Sequence, residues 1–228
     1  MKFLVWLSIL PSLVISLIIY NSDKQEKEPK VELIKAYFMG IISVFITLVL
    51  SYLFKVNNMH SNTIINTIIY SFIGISLIEE LSKWICTYLF LKNNKNFDYL
   101  FDGIVYATFI SLGFATIENI LYTVTGGVLT GIIRAITTVP AHAFFGISSG
   151  YFFSFAKEKC EKAKKNKYLF LSIFMPFILH GFYDFCLLCK NYIFYIIYII
   201  FVILLYIISI RQVKKMMLLE KSFELDEK

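Results

Sequence analysis

The chain has 228 residues, of which 58% are hydrophobic and 17% charged, and its mean hydropathy is +0.70. Soluble domains carry about 45–50% apolar and about 25% charged residues, so the composition excludes an ordinary soluble fold. The net charge of +6 sits in short connecting segments rather than on a basic face, which excludes a nucleic-acid surface.

Apolar runs occupy residues 3–20, 33–54, 63–91, 100–125, 128–156, 168–189 and 192–210. A membrane span needs about 20 such residues, and lipid leaves only helices or closed barrels as spanning structures. The runs lack the alternation of barrel strands, so they predict an all-α, polytopic transmembrane bundle of about seven spans in one integral domain, 1–228. The first run is longer than a signal-peptide core and precedes no small-x-small cleavage site, so it reads as a retained span. Outside the spans, sixteen Lys and Arg fall on one side (residues 21–32, 92–99, 157–167 and the tail) and three on the other (Lys2, Lys55, Lys190). The positive-inside rule then places the N-terminus outside and the C-terminus inside. The charged tail, 211–228, suits a short amphipathic cytoplasmic helix. Gly126, Gly127, Gly131 and Pro140 make 126–140 the weak point, equally suited to a re-entrant or a broken helix. The spacings Gly127-x3-Gly131 and Gly146-x3-Gly150 suit close helix packing; oligomeric state is not encoded in them.

The informative residues are polar ones inside apolar runs. The third run carries Glu79, Glu80 and Lys83; the fourth Glu118 and Asn119; the fifth Arg134 and His142; the sixth His180 and Asp184. Each charged side chain near the bilayer centre costs about 2.5–3.5 kcal/mol, so four runs bearing that cost imply a shared polar interior. Either glutamate can pair with Lys83 along one helix face, at i,i+3 or i,i+4, and His180 and Asp184 are also one turn apart. Pro140 and Pro176 precede the two histidines and are expected to make room beside them. The acids Glu79, Glu80, Glu118 and Asp184 outnumber Lys83 and Arg134, leaving some to be protonated, paired with imidazolium or bound to a cation. An interfacial Glu-Lys ion pair would instead end the third run at Ile78 and strand the apolar stretch 84–91. Asp98 and Asp102 read as caps of the fourth helix. His60 reads as a solvated loop residue. The four cysteines, Cys186-xx-Cys189 included, show no secreted disulfide pattern, and their apolar setting suits packing better than metal or redox chemistry.

Glu79-Glu80-xx-Lys83, Phe101-Asp102-Gly103, Phe114-xxx-Glu118-Asn119, Pro140-Ala141-His142-Ala143 and His180-xxx-Asp184 together resemble the PrsW family of bacterial intramembrane proteases. That family is distantly related to the CAAX prenyl proteases, whose EExxxR, FxxxH and HxxxN/D motifs run in the same order. The resemblance covers about 70–190. It implies a multi-pass protein of a bacterial plasma membrane that makes the first, site-1 cut in a single-span anti-sigma factor, after which a second protease frees the sigma factor. The substrate's identity and the inducing signal are not written in these motifs.

The expected mechanism is metal-independent: Glu79 or Glu80 activates a water, Glu118 helps position it, and His180, oriented by Asp184, donates to the oxyanion. Lys83, Asn119, His142 and Asp102 are expected to support the site. The rival holds a divalent metal such as zinc on Glu80 (or Glu79), Glu118, His142 and His180, whose donor types fit although HExxH is absent. From another class, a proton or divalent-cation transporter would use the same buried acids and histidines, but no inverted repeat is visible. A silent scaffold would keep the glycines without needing the acids.

Overall fold

The computed structural model describes residues 2–23, 26–59, 63–157 and 162–226, with side chains as far as Leu219. His60 and Cys160 lie outside the described residues. Among the described residues seven long helices follow in order, with a short 3-10 turn at Val56–Asn58 between the second and third: α1 (Lys2–Ser22), α2 (Lys30–Leu53), α3 (Ile64–Leu91), α4 (Leu100–Ile136), α5 (Thr138–Lys157), α6 (Lys162–Leu188) and α7 (Tyr192–Asp226). Among the described residues there is no strand, and six helical stretches are long and apolar enough to cross a membrane, 100–157 counting as one. The protein is an all-α, multi-pass membrane protein.

The stretch 100–157 is a hairpin rather than one rod. Gly127 has φ 81° and ψ −172°, a conformation essentially reserved for glycine, and the chain reverses there. Beyond it Gly131 packs on Thr123, the Ser111 hydroxyl donates to the His142 carbonyl at 2.6 Å, and Gly150 lies on Gly103. These pairs run antiparallel. The region 126–140, ambiguous in sequence, is therefore a tight reversal followed by a second break at Thr137 (φ −120°, ψ −67°). Pro140 sits in the first turn of α5, where a missing N–H does least harm. Gly127 is a corner and not a packing residue, contrary to the expectation for the Gly127/Gly131 pair.

Every residue from Phe101 to Thr116 in α4 is buried, and most of α5 is buried with it. Lipid tails are as apolar as leucine, so helices here must associate through close packing rather than water exclusion. Glycines supply it. A Cβ on Gly40 of α2 would lie 1.9 Å from the Ile110 carbonyl oxygen, and one on Gly113 of α4 would lie 2.1 Å from that of Tyr37. Gly146 and Gly150 of α5 meet α4 in the same way. In α1, Ser8, Ser12 and Ser16 form a buried stripe one turn apart, while Phe3, Trp6, Leu10 and Leu17 face outward. The tail departs from expectation: α7 continues unbroken from Tyr192 to Asp226, with Met216 buried, rather than giving a separate amphipathic helix.

Candidate functional site

The site begins with an irregularity in α3. Tyr70–Ser76 is π-helical, and regular α-helix resumes at Leu77, just before the paired glutamates. A π-turn adds a residue to the turn and re-aims the side chains that follow; such bulges recur at functional sites. The Ser76 hydroxyl donates to the Phe177 carbonyl at 2.6 Å, and Gly181 accommodates the Phe72 ring, so the irregular turn is tied to α6. The two glutamates then diverge.

Glu80 points into protein. Its Oε1 accepts from Lys83 Nζ at 2.5 Å and from His180 Nδ1 at 2.7 Å, and all three residues are about 4% exposed. Lys83 also donates to His142 Nδ1 at 3.2 Å and lies over the Phe114 ring, 4.6 Å from its centre. An ammonium only donates, so His142 Nδ1 accepts and its Nε2 carries the hydrogen. That Nε2 donates to Glu118 Oε2 at 2.8 Å. The other oxygen of Glu118 meets Arg134 at 3.0 Å, and Arg134 Nε donates to Asn119 Oδ1 at 3.0 Å. Asn119 in turn donates to the Ser8 carbonyl of α1 at 3.0 Å. His180 Nε2 faces Asp184 Oδ2 at 3.2 Å. The rings of His142 and His180 are 5.3 Å apart, and Phe145 stacks on His180.

Glu79 points into a cavity of about 250 Å³ that Glu118, Arg134, His142, His180 and Asp184 also line. Its Oε2 is buried without a hydrogen-bond partner, 3.9 Å from His180 Nε2. Counting the ring of His180 between two acids as a cation, four carboxylates face three positive groups, and Glu79 is the one left over. Ligand-type atoms of Glu79, Glu118 and His142 lie within 4.8 Å of one another, a spacing that suits one divalent ion. This differs from the ligand set expected from sequence: Glu80 is occupied by Lys83 and His180, and the second nitrogen of His180 is turned to Asp184. Both histidines line the cavity, although His142 is only 1% exposed and His180 4%.

Eight of the nine residues singled out in sequence converge here: Glu79, Glu80, Lys83, Glu118, Asn119, His142, His180 and Asp184. Asp102 does not. It lies sixteen residues before Glu118 on the same helix, or about 24 Å at the rise of an α-helix. Its Oδ2 instead accepts from the backbone N–H of Asp98 and Tyr99, at 3.0 and 2.7 Å. It therefore caps α4, as its position had suggested, whereas Asp98 contributes backbone and not a side-chain cap. Arg134 was underweighted in sequence; a charge inside an apolar run was its only signal. The Ser8 carbonyl had no signal, because backbone groups carry none.

A family model described as "PrsW family intramembrane metalloprotease" matches residues 28–209, and with it four-fifths of the chain. The chain belongs to the PrsW family. It is 37% identical over 172 residues to "Protease PrsW" of Geobacillus kaustophilus, covering 75% of this chain and 74% of that one. The protein of the same name in Bacillus subtilis is 33% identical over 187 residues (82% and 84%), and that of Clostridioides difficile 36% over 189 (81% and 79%). No solved structure matches the chain. PrsW membership makes the protein a membrane-embedded protease and sets aside the transporter and scaffold readings. The family's description as a metalloprotease also weighs against the metal-free mechanism favoured from sequence.

Proposed function

We propose that this protein is an endopeptidase that cuts a single-span membrane protein, an anti-sigma factor in the first instance, with Glu79, Glu118 and His142 holding a divalent cation such as zinc. The observation that carries this reading is the unpaired, buried oxygen of Glu79 set against Glu118 and His142. Carboxylate oxygens and imidazole nitrogens are both donors that such an ion accepts. When bound, the cation supplies a Lewis acid that acidifies water and polarises a carbonyl. For His142 to serve as a ligand through Nε2, the hydrogen it now gives to Glu118 would leave and Nδ1 would take one from the Lys83 ammonium, so one proton would be released overall.

The chain's own residues perform the rest. Lys83 holds His142 by Nδ1 and so aims Nε2 at the two acids. Glu80 and Asp184 grip the two nitrogens of His180 and so hold the ring at the cavity wall, where its positive charge faces the oxygen that gains charge at the scissile carbonyl. The cavity is also lined by Val56 and Leu188, at the end of the bundle bearing connectors 55–62 and 190–191. The charge asymmetry puts that end outside, with seven spans, an external N-terminus and cleavage near the extracytoplasmic face of a bacterial plasma membrane.

The test reconstitutes a tagged single-span anti-sigma factor with the protein in lipid. Cleavage lost on chelation and restored by zinc supports the reading. Cleavage that persists in thoroughly chelated protein restores the metal-free mechanism, and no cleavage of any single-span substrate removes the substrate assignment.

A further inference from the structure

We infer that Arg134 is a positioning residue for the reaction, a role that rests on the protease reading above and goes beyond it. The reversal at Gly127 brings the limb 128–136 back along the end of α4, and most of what that limb presents is apolar and outward: Val128, Leu129, Ile132, Ile133 and Ile136 are exposed. Arg134, its single charged residue, turns inward. Its guanidinium makes three distinct contacts: Glu118 Oε1 at 3.0 Å, Asn119 Oδ1 through Nε at 3.0 Å, and the face of Tyr122, 4.2 Å from the ring centre.

These contacts fix an orientation as well as a charge. Glu118 has two oxygens, and Arg134 takes one, which leaves Oε2 to face His142 and Glu79. The guanidinium plane is itself fixed, because Asn119, which is fully buried, is anchored to the Ser8 carbonyl of α1 and offers its oxygen to Nε. A planar guanidinium hydrogen-bonded through Nε, ion-paired through Nη2 without hydrogen-bond geometry and stacked on a ring has an orientation that an ammonium on a flexible stem cannot reproduce. Arg134 thus sets which face of Glu118 meets the reacting groups, and α1, otherwise without a motif, serves the site through one backbone carbonyl.

A mere charge-balancing role would be filled equally well by lysine, and that separates the two possibilities. Arg134→Lys and Arg134→Gln would be compared with wild type in the reconstituted cleavage assay, with thermal unfolding of each variant in the same lipid. The expected result is a fall in kcat of about 10²-fold for Arg134→Gln, the usual size of a misplacement effect, with Arg134→Lys still well below wild type. KM and the unfolding temperature of Arg134→Lys should stay put. Wild-type kcat in Arg134→Lys overturns the inference, as does a raised KM at normal kcat. If Arg134→Gln fails to fold, the lysine variant decides alone. A wild type that cleaves nothing overturns the protease reading and this inference with it, whereas an active wild type matched by Arg134→Lys overturns this inference only.

Discussion

The two ends of α4 both bury carboxylates, yet they treat them in opposite ways. At its start, Asp102 accepts from two backbone N–H groups, and the Tyr106 hydroxyl donates to Glu28, which reaches in from the α1–α2 connection. Glu28 and Asp102 are 4% and 1% exposed. Asp102 and Glu28 also share a side-chain hydrogen bond, so the pair is held by a helix terminus, a phenol and each other. Toward the other end, Glu118 lies among Arg134, two histidines and a second glutamate with an unsatisfied oxygen. A buried acid is therefore not in itself the mark of a site. The partners decide: fixed donors make a cap, whereas cations, imidazoles and one unpaired oxygen make a place for chemistry.

Substitutions at the two ends should break that symmetry, and the largest effect belongs to Glu79. Glu79→Gln keeps the shape of the side chain but removes a charged donor of the cation triplet, and cleavage should fall by at least about 10²-fold, since even outer-shell partners of a metal site are worth about 10–100-fold. Next come the helix contacts that carry the site. Gly113→Ala or Gly40→Ala forces a methyl into a backbone carbonyl across the α2–α4 seam, which should cost about 1–3 kcal/mol of stability, read as a lower unfolding temperature in detergent. Asp102→Asn weakens a helix cap and should cost about 1 kcal/mol while leaving cleavage within a few-fold of wild type.

The smallest effect is in pH. Burial pushes the Glu28 carboxyl up from 4.5 to about 7, against the opposing hydrogen bonds from Tyr106 and Asp102. The folded protein then holds a proton that the unfolded chain has released, so this contribution is complete below 4.5 and is lost as pH rises through about 7. Amide exchange across residues 26–32, corrected for intrinsic rate, should quicken between pH 6 and pH 8 in wild type and not in Glu28→Gln. Equal quickening in both would remove Glu28 as the cause.

Much of this was legible in the sequence because lipid punishes exceptions. Charged residues in apolar runs have few explanations, so Glu79, Glu80, Glu118, His142, His180 and Asp184 stood out without any knowledge of contacts. What could not be read was pairing. Sequence spacing allows Lys83 either glutamate; in the structure Glu80 takes it and Glu79 faces the cavity, on a helix whose facing follows a π-helical turn at Tyr70–Ser76 that no residue pattern announces. The corner at Gly127 was visible as a cluster of glycines, but its direction was not, since a re-entrant loop and a hairpin use the same residues. Asp102 was misplaced as a supporting residue for the converse reason: a motif that is near in sequence lay about 24 Å along a straight helix from the cluster.

The most direct measurement is cleavage of a single-span substrate in liposomes by three proteins side by side: wild type, Glu79→Gln and Asp102→Asn. Activity lost in Glu79→Gln and kept in Asp102→Asn, with both folded, is the expected result. Normal cleavage by Glu79→Gln, or its loss in a folded Asp102→Asn, would contradict the assignment of the chemistry to the Glu79–Glu118–His142 end of the bundle.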